Sequence, residues 1–286
     1  LACRWTGTPI VSSLVNVSYE PVRIRENPHL SARKLDILRR VDAFSARWVN
    51  RFHSVSQTVL NSNCHYLNIP AERVKVIPRG RVIEQFQPKN PNSRNQLLSS
   101  LGISHAAPLL LNVGRLVDQK GQAHLIKALG HIHTILPDAH LLLAGDGWNR
   151  DALERLANTL GVSSQISFLG TRSDIPDLLA ACDIFVFPSL YEGLPGALVE
   201  AMLAGKPIIA SDILEVREVI QPDFNGTLCT PSDDLSLAAA LLGLARDLPR
   251  QKRYAKNAQE SAIRRYNIDH VVRDTETLYE QTINKR

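Results

Sequence analysis

Residues 109–147, LLLNVGRLVDQKGQAHLIKALGHIHTILPDAHLLLAGDG, decide the fold class of this chain. Short, mostly apolar runs at Leu109–Val113 and His140–Ala144 predict two buried strands. Between them, Gln122–Leu136 carries apolar residues at helical spacing. Strand, helix and strand in this order predict a parallel βαβ unit, in which each strand runs into a loop containing glycine.

The same alternation extends in both directions along the chain. It predicts an α/β protein whose parallel sheets are covered by helices, with ligands bound beyond the carboxyl ends of the strands. Ser56 is a plausible N-cap for one of the helices. The other predicted strands are Ile10–Asn16, Arg51–Val55, Val74–Ile77, Ile166–Leu169, Ile184–Phe187 and Ile208–Ser211. The other predicted helices are Leu30–Trp48, Ser56–Leu67, Arg150–Leu160, Ile175–Ala181, Ala197–Ala204, Leu235–Ala245, Pro249–Arg265 and Asp269–Ile283.

The basic residues are concentrated in the first third of the chain. Residues 1–100 hold 15 Lys and Arg against 6 Asp and Glu, although the net charge of the whole chain is only +5. Such a region suits an anionic lipid surface or an anionic acceptor, but on charge alone a solvated Arg-rich surface is the favoured interpretation. Nucleic acid is not expected as a partner, because aromatic residues do not alternate with the basic ones and no binding motif is present.

The cysteines and the apolar runs indicate the cellular compartment in which the protein is expected to work. Cys3, Cys64, Cys182 and Cys229 are widely spaced and form no CxxC pair, so neither a zinc site nor a redox site is predicted. No apolar run approaches the ~18 residues of a membrane span. The chain begins with Leu1 and shows no signal-peptide pattern, so we expect that it lacks its true start, with a processed protein as the alternative. Cys182 and Cys229 lie in apolar contexts and are interpreted as reduced core residues. We therefore expect a cytoplasmic protein, with peripheral contact at the inner face of the membrane as a further option.

Two loops after predicted strands carry groups that suit phosphate. Gly114-Arg115-Leu116-Val117-Asp118-Gln119-Lys120-Gly121 places two cations near a helix N-terminus, where an anion is stabilised. A plain surface turn is the alternative. Gly145-Asp146-Gly147 would let a ligand approach the backbone closely, although a tight turn explains it equally well.

A third loop and the helix after it run from Pro188 to Met202, with the sequence PSLYEGLPGALVEAM. Backbone amides at Gly196–Leu198 are expected to lie ahead of the helical hydrogen bonds and to face the crevice. Glu192 in the loop suits sugar hydroxyls, and Glu200, one turn inside the helix, suits a ribose diol. A solvated loop charge and helix-dipole complementarity are the respective alternatives.

Glu192 and Glu200 are separated by seven residues, and this spacing resembles the E-x7-E motif of the retaining glycosyltransferases of family 4 (glycosyl transferases group 1). Those enzymes have the GT-B fold of two Rossmann-like domains. The resemblance is supported, in the family's order, by Val113-Gly114-Arg115-Leu116 with Lys120-Gly121, Ala144-Gly145-Asp146-Gly147, Phe168-Leu169-Gly170 and Ala210-Ser211-Asp212. It extends over nearly the whole chain and is most specific at Leu109–Asp212.

The resemblance implies transfer of a sugar from a UDP- or GDP-sugar to a glycan or lipid-linked acceptor, with retention of configuration and without a catalytic metal or cofactor. Polysaccharide or lipopolysaccharide biosynthesis is the implied setting. The implied catalytic residues are Arg115 and Lys120, which hold the diphosphate, and Glu192, which contacts the donor sugar. Implied substrate-binding residues are Gly114, Gly145, Gly147, Arg172, Gly193, Leu194, Pro195, Gly196, Ala197, Leu198 and Glu200.

The resemblance also implies a domain organisation. Residues 1–85 are expected to be the latter part of an acceptor-side Rossmann-like domain that is truncated here. Residues 86–268 are expected to be the domain that binds the nucleotide sugar, entered through a linker at Gln85–Arg94, and residues 269–286 a helix crossing back to the first domain. Asn16 occupies the place where many family members have a histidine. Two alternatives stay open: a fragment that binds donor without transfer, and a sugar-nucleotide epimerase or hydrolase of the GT-B fold.

Overall fold

The computed structural model describes residues 6–21, 24, 30–87, 92–104 and 107–284 of the 286-residue chain. Within this part the strands are β1 (Val11–Leu14), β2 (Arg51–Ser54), β3 (Val74–Val76), β4 (Leu109–Val113), β5 (His140–Ala144), β6 (Ile166–Gly170), β7 (Ile184–Phe187), β8 (Ile208–Ser211) and β9 (Thr227–Cys229). The helices are α1 (Ala32–Ser45), α2 (Gln57–Leu67), α3 (Ser93–Leu101), α4 (Gln122–Ile132), α5 (Arg150–Thr159), α6 (Ile175–Ala181), α7 (Gly196–Leu203), α8 (Leu214–Arg217), α9 (Asp234–Ala245), α10 (Leu248–Tyr266) and α11 (Ile268–Ile283).

The chain divides into two compact units. The first comprises the described residues up to Arg81, the short segment Glu192–Leu194, and the described residues from Arg265 onward. The second comprises the described residues of Val82–Tyr191 and Pro195–Arg264. The sequence-based boundaries after residues 85 and 268 stay a prediction, because contacts define a compact unit whereas a domain also folds independently.

The first unit is built on a parallel sheet of order β1-β2-β3. Helix α1 begins after Ser31, whose side chain accepts a hydrogen bond from the Lys34 amide, and α2 begins after Ser56, which caps Val59 in the same way. The predicted N-cap is therefore confirmed. Buried apolar side chains of both helices pack against those of β1 and β2 and form one core.

The second unit is built on a parallel sheet of order β6-β5-β4-β7-β8-β9. Strand β4 pairs with β5 on one side and with β7 on the other, so the chain switches direction across the sheet between β4 and β7. In open parallel sheets a crevice forms outside the carboxyl ends of the strands at such a switch point. The predicted α/β class with parallel sheets is confirmed.

Helices α3 and α8 and strand β9 were not predicted from the sequence. Within the expected linker Gln85–Arg94, Phe86 is buried and α3 begins at Ser93, and the linker itself stays a prediction. Residues 88–91 of that segment lie outside the described residues.

Among the described residues, no helix is both long enough and apolar enough to cross a bilayer. Cys182 and Cys229 are buried and free, as predicted for core residues. Burial raises the pKa of the Cys182 thiol to about 11 and that of Cys229 to about 12, so both stay protonated near neutral pH.

Two half-buried histidines should make the stability of the fold depend on pH. Burial lowers the pKa of His53 below its ordinary value of 6.5, with the charge of Arg79 as a second cause, and burial also lowers the pKa of His140. As the pH falls through 6.5 the unfolded chain takes up protons that the folded protein resists. We therefore expect that the two histidines do not lower the free energy of unfolding above this pH. Below it, the stability should decline progressively until the pH passes the lowered pKa of each histidine, and solvent screening of these half-buried groups keeps the loss small.

Urea unfolding measured above and below pH 6.5 checks this expectation. The double variant His53→Gln and His140→Gln should show a smaller decline than the wild type. The exposed His131 offers a matched control, since His131→Gln should leave the decline as it is. An unchanged decline in the double variant would show that other groups cause it.

Candidate functional site

The candidate site is built from the loops that follow β4, β5 and β7 in the second unit. These strands are neighbours in a parallel sheet, so their carboxyl ends share one edge. The loops are residues 114–121, residues 145–147 and the segment that begins at Pro188. The structure thus places Gly114, Arg115, Lys120, Gly145 and Gly147 on the edge where ligands bind in such sheets.

Glycines allow these loops to touch backbone against backbone. A Cβ atom on Gly145 would lie 1.9 Å from the carbonyl oxygen of Gly114, and one on Gly147 would lie 2.4 Å from that of Leu116. Gly145 has a φ of +141° and Gly121 a φ of +66°, both in the range that favours glycine. A Cβ on Gly121 would lie 2.1 Å from the carbonyl oxygen of Pro188. The three loops therefore form one closely packed floor.

Lys120 ends the short 3-10 helix Asp118–Lys120, which the αL residue Gly121 closes. Its stem runs over Gly114, where a Cβ would lie 3.6 Å from the lysine Cγ and Cδ atoms. Its Nζ atom stands 5.8 Å from the centroid of the Phe187 ring, at the end of β7. The lysine charge is thus held at the switch point between β4 and β7.

Arg115 is exposed, and its side chain forms no hydrogen bond or ion pair with any other residue that the structure describes. Its backbone is held firmly instead, because the side chain of Gln122 donates to its carbonyl oxygen over 3.0 Å. A guanidinium group without a protein partner on a fixed backbone is available to an anionic ligand.

Two buried polar residues beneath this loop were missed by the sequence reasoning. Asn112 donates from Nδ2 to the carbonyl oxygen of Val186 over 2.9 Å, and so ties β4 to β7. The Gln122 side chain donates to the Asn112 Oδ1 atom over 3.3 Å as well as to Arg115. An asparagine within the otherwise apolar run Leu109–Val113 was the available signal, since a buried amide needs partners.

Helix α7 follows the third loop, and the predicted helix start at this loop is confirmed. The amide of Val199 bonds to the carbonyl oxygen of Pro195 over 3.1 Å, which closes the first helical turn. The amides of Gly196, Ala197 and Leu198 precede this bond, so the hydrogen-bond pattern of the helix does not use them. Glu200 is half-buried, one residue beyond Val199.

The segment Glu192–Leu194 belongs to the first unit, although its chain neighbours belong to the second. The Ser56 hydroxyl donates to the Gly193 carbonyl oxygen over 3.2 Å. A Cβ on Gly193 would lie 2.9 Å from the Asn16 Oδ1 atom, and Leu194 packs against the core of the first unit. Glu192 itself is 6% exposed. The two carboxylates of the E-x7-E pattern are therefore carried by different units.

Arg172 follows β6 and pairs with a neighbouring carboxylate. Its Nε atom donates to Asp174 Oδ1 over 2.8 Å, and this hydrogen bond holds the pKa of Asp174 below its ordinary value. At the end of β8, a hydrogen bond from Arg217 likewise lowers the pKa of Asp212. Both carboxylates are therefore ionised near neutral pH. Among the described residues, no group of three or more His, Cys, Asp or Glu side chains could hold a metal ion.

Residues 93–261, more than half of the chain, match the family model described as glycosyl transferases group 1. The chain is 30% identical over 229 residues to an uncharacterized glycosyltransferase of Methanocaldococcus jannaschii, covering 79% of this chain and 58% of that protein. It is 28% identical over 290 residues to the UDP-Gal:alpha-D-GlcNAc-diphosphoundecaprenol alpha-1,3-galactosyltransferase of Escherichia coli, covering 100% of this chain and 73% of that protein.

Among solved structures, HepE of Anabaena is similar to this chain at 28% sequence identity. Its complex with UDP superposes with a TM-score of 0.86 and covers 98% of this chain and 74% of HepE. Its complex with UDP-glucose superposes with a TM-score of 0.83. The fold is thus GT-B-like, and the chain spans between about three fifths and three quarters of the length of these relatives.

Proposed function

Because the chain belongs to the glycosyl transferases group 1 family, we propose that it binds a nucleoside diphosphate sugar and serves transfer of that sugar to an acceptor with retention of configuration. The observation that carries the proposal is the packed floor formed by the loops after β4, β5 and β7, with Arg115 and Lys120 upon it. Two cations at the switch point of a parallel sheet suit a diphosphate.

In the proposed reaction the bond between the anomeric carbon and the diphosphate oxygen breaks. A bond forms between that carbon and an acceptor hydroxyl oxygen, and the hydroxyl proton is released, so the products are the glycoside, the nucleoside diphosphate and a proton. Negative charge grows on the departing diphosphate. Prearranged cations stabilise this charge with little reorganisation, which is the role proposed for Arg115 and Lys120.

The other predicted residues take proposed places around the same donor. The amides of Gly196–Leu198 would add hydrogen bonds to the diphosphate, and the Glu200 carboxylate would accept from the ribose hydroxyls. Glu192 is proposed to face the donor sugar, and Arg172 the base. Gly145 and Gly147 let the loops pack backbone against backbone, and Gly114 leaves room for the Lys120 stem, so these glycines would shape the floor on which the donor is proposed to lie.

We favour UDP as the nucleotide and a lipid-linked or glycan acceptor. UDP and UDP-glucose are bound in the HepE complexes, and the Escherichia coli relative is named for transfer from UDP-Gal to a diphosphoundecaprenol-linked sugar. Titration calorimetry with UDP-, GDP- and ADP-sugars tests the donor. The UDP-sugar should bind most tightly, and absence of binding to every one of them would contradict the proposal.

Product analysis separates transfer from the two alternatives. An epimerase would convert the sugar of the nucleotide sugar without any acceptor, and a hydrolase would release it to water. A chain that binds donor without transfer would leave the donor intact whether or not acceptor is added. We expect a new glycoside only when acceptor is present.

A peripheral contact with an anionic lipid surface is proposed for helix α1. Four apolar residues, Ile37, Leu38, Val41 and Phe44, are each more than half exposed and follow helical spacing along one side. Leu35, on the opposite side, is buried in the core. Exposed Arg33, Lys34 and Arg40 are spaced to lie beside the apolar stripe. An apolar stripe with basic neighbours fits the interface of an anionic bilayer.

Co-sedimentation with phosphatidylcholine vesicles, with and without phosphatidylglycerol, measures this contact. Replacing Ile37, Val41 and Phe44 with serine should weaken binding to the anionic vesicles about tenfold or more, since apolar surface no longer enters the interface. Serine at the exposed Ile135 and Leu235 of the second unit is the matched control. If the stripe instead joins two copies of the chain, the triple variant will change the oligomeric state and not the vesicle binding.

A further inference from the structure

The N-cap residue of helix α2 is a buried serine whose hydroxyl group makes hydrogen bonds with two separate segments. Ser56 is 2% exposed, and its Oγ atom accepts a hydrogen bond from the Val59 amide over 3.2 Å. The same hydroxyl donates to the carbonyl oxygen of Gly193 over 3.2 Å. The contact joins residues 137 positions apart in the chain, so it is a tertiary contact as well as a helix cap.

A second buried side chain of α2 holds the segment that faces Gly193. Asn63 is 3% exposed and donates from Nδ2 to the Asn16 carbonyl oxygen over 2.9 Å. A Cβ on Gly193 would lie 2.9 Å from both the Asn16 Oδ1 atom and the Val15 carbonyl oxygen. Gly193 is therefore enclosed by Ser56 on its carbonyl side and by residues 15 and 16 on the side of its α-carbon.

The residue beside Gly193 is Glu192, the carboxylate proposed to face the donor sugar. The geometry points to Ser56 as a positioning residue that fixes Glu192 through the Gly193 carbonyl group. This inference rests on the proposed function for its catalytic consequence, but the anchoring contact itself does not depend on it. Loss of the hydroxyl leaves a carbonyl group inside the first unit without its donor, and the segment shifts to find another.

Three single variants separate positioning from simple capping. Ser56→Ala removes both hydrogen bonds, whereas Ser56→Thr keeps a hydroxyl group. Ser31→Ala is the matched control, because Ser31 caps α1 in the same unit by accepting from Lys34, and no contact of its side chain with the Glu192 segment is described. Ser56→Ala should lose more stability than Ser31→Ala in urea unfolding, because it removes the hydrogen bond to the Gly193 carbonyl oxygen in addition to the helix cap.

Transfer kinetics and donor affinity give the first readout. In Ser56→Ala, kcat should fall about tenfold to a hundredfold, because displacement of a reacting group by about 1 Å has effects of that size. The dissociation constant of the UDP-sugar should stay unchanged, Ser56→Thr should recover most of the rate, and Ser31→Ala should match the wild type. Wild-type kcat in Ser56→Ala, or an equal fall in Ser31→Ala, would overturn the inference.

Hydrogen exchange of the peptide that contains Glu192–Leu194 gives a readout without activity. Its amides should exchange faster in Ser56→Ala than in the wild type, and no faster in Ser31→Ala or Ser56→Thr. Failure of the wild type to bind or transfer any sugar would count against the proposed function alone, and the exchange result would still decide the anchoring. Unchanged exchange in Ser56→Ala would refute the anchoring even if transfer is observed.

Discussion

Lys120→Ala is expected to raise the dissociation constant of the UDP-sugar about a hundredfold, because removing one partner of a desolvated charge pair typically costs 2–5 kcal/mol. The lysine stem runs over Gly114 and its Nζ atom lies 5.8 Å from the centroid of the Phe187 ring, at the point where the diphosphate is proposed to lie. Alanine removes the charge and leaves the glycine floor in place. Calorimetry with the UDP-sugar and with UDP alone measures the loss, which should be similar for both because the diphosphate is common to them.

Lys127→Ala is the matched control for this variant. Lys127 lies on α4 in the same unit and stands 3.6 Å from Asp234, in a partly exposed pair whose contribution to stability is small. Its loss should leave donor affinity unchanged. Arg115→Ala should also weaken binding, whereas Lys120→Arg should restore only part of it, since a guanidinium group differs in shape and reach. Wild-type affinity in Lys120→Ala would place the diphosphate elsewhere.

Glu192→Gln is expected to lower kcat by a factor of about a hundred to a thousand, the range found when one preorganised electrostatic group is removed from a transition state. Glu192 is 6% exposed, so its charge is weakly screened, and its chain is anchored by the Gly193 contacts. Positive charge grows at the anomeric carbon as the donor bond breaks, and the Glu192 carboxylate is proposed to lie near this carbon and to stabilise the charge. Glutamine keeps the shape and removes the charge.

Measuring kcat and the dissociation constant of the donor separately tests this prediction. Donor affinity in Glu192→Gln should change little, because the proposed diphosphate contacts are made by Arg115 and Lys120. Glu200→Gln should show the opposite pattern, with weaker donor binding and a smaller effect on kcat. Glu154→Gln, which removes a surface ion pair with Arg150, should change neither quantity. If Glu192→Gln keeps the wild-type rate, Glu192 does not act on the donor sugar.

Local patterns made most of the fold predictable from the sequence. The alternation of apolar runs and helical spacing predicted β4, β5 and β7 because these strands are short and buried, and because glycine follows β4 and β5 directly while Pro188 follows β7. Helix α3 was not predicted because its sequence, SRNQLLSSL, is mostly polar and only Leu98 is buried. Strand β9 was not predicted because it has only three residues and lies at the edge of the sheet, where it pairs with β8 alone.

The candidate site was predictable only where its residues are close in sequence. The glycine loops and both motif carboxylates follow strands or begin helices, so their spacing is visible. The contacts that hold them were not visible, because Asn112 with Val186 and Ser56 with Gly193 join distant positions with no periodicity between them. Nothing in the spacing of Glu192 and Glu200 indicated that they belong to different compact units.

The excursion of Glu192–Leu194 into the first unit also constrains how such proteins can be recombined. The chain passes from one unit to the other after residues 81, 191, 194 and 264, so neither unit is a continuous stretch of sequence. In a chimera that joins residues 82–264 to a foreign N-terminal region, Glu192–Leu194 would lose their contacts with Asn16 and Ser56. We therefore expect a chimera to fold and to hold this segment in place only when the residues at positions 16, 56 and 192–194 are all taken from the same parent protein.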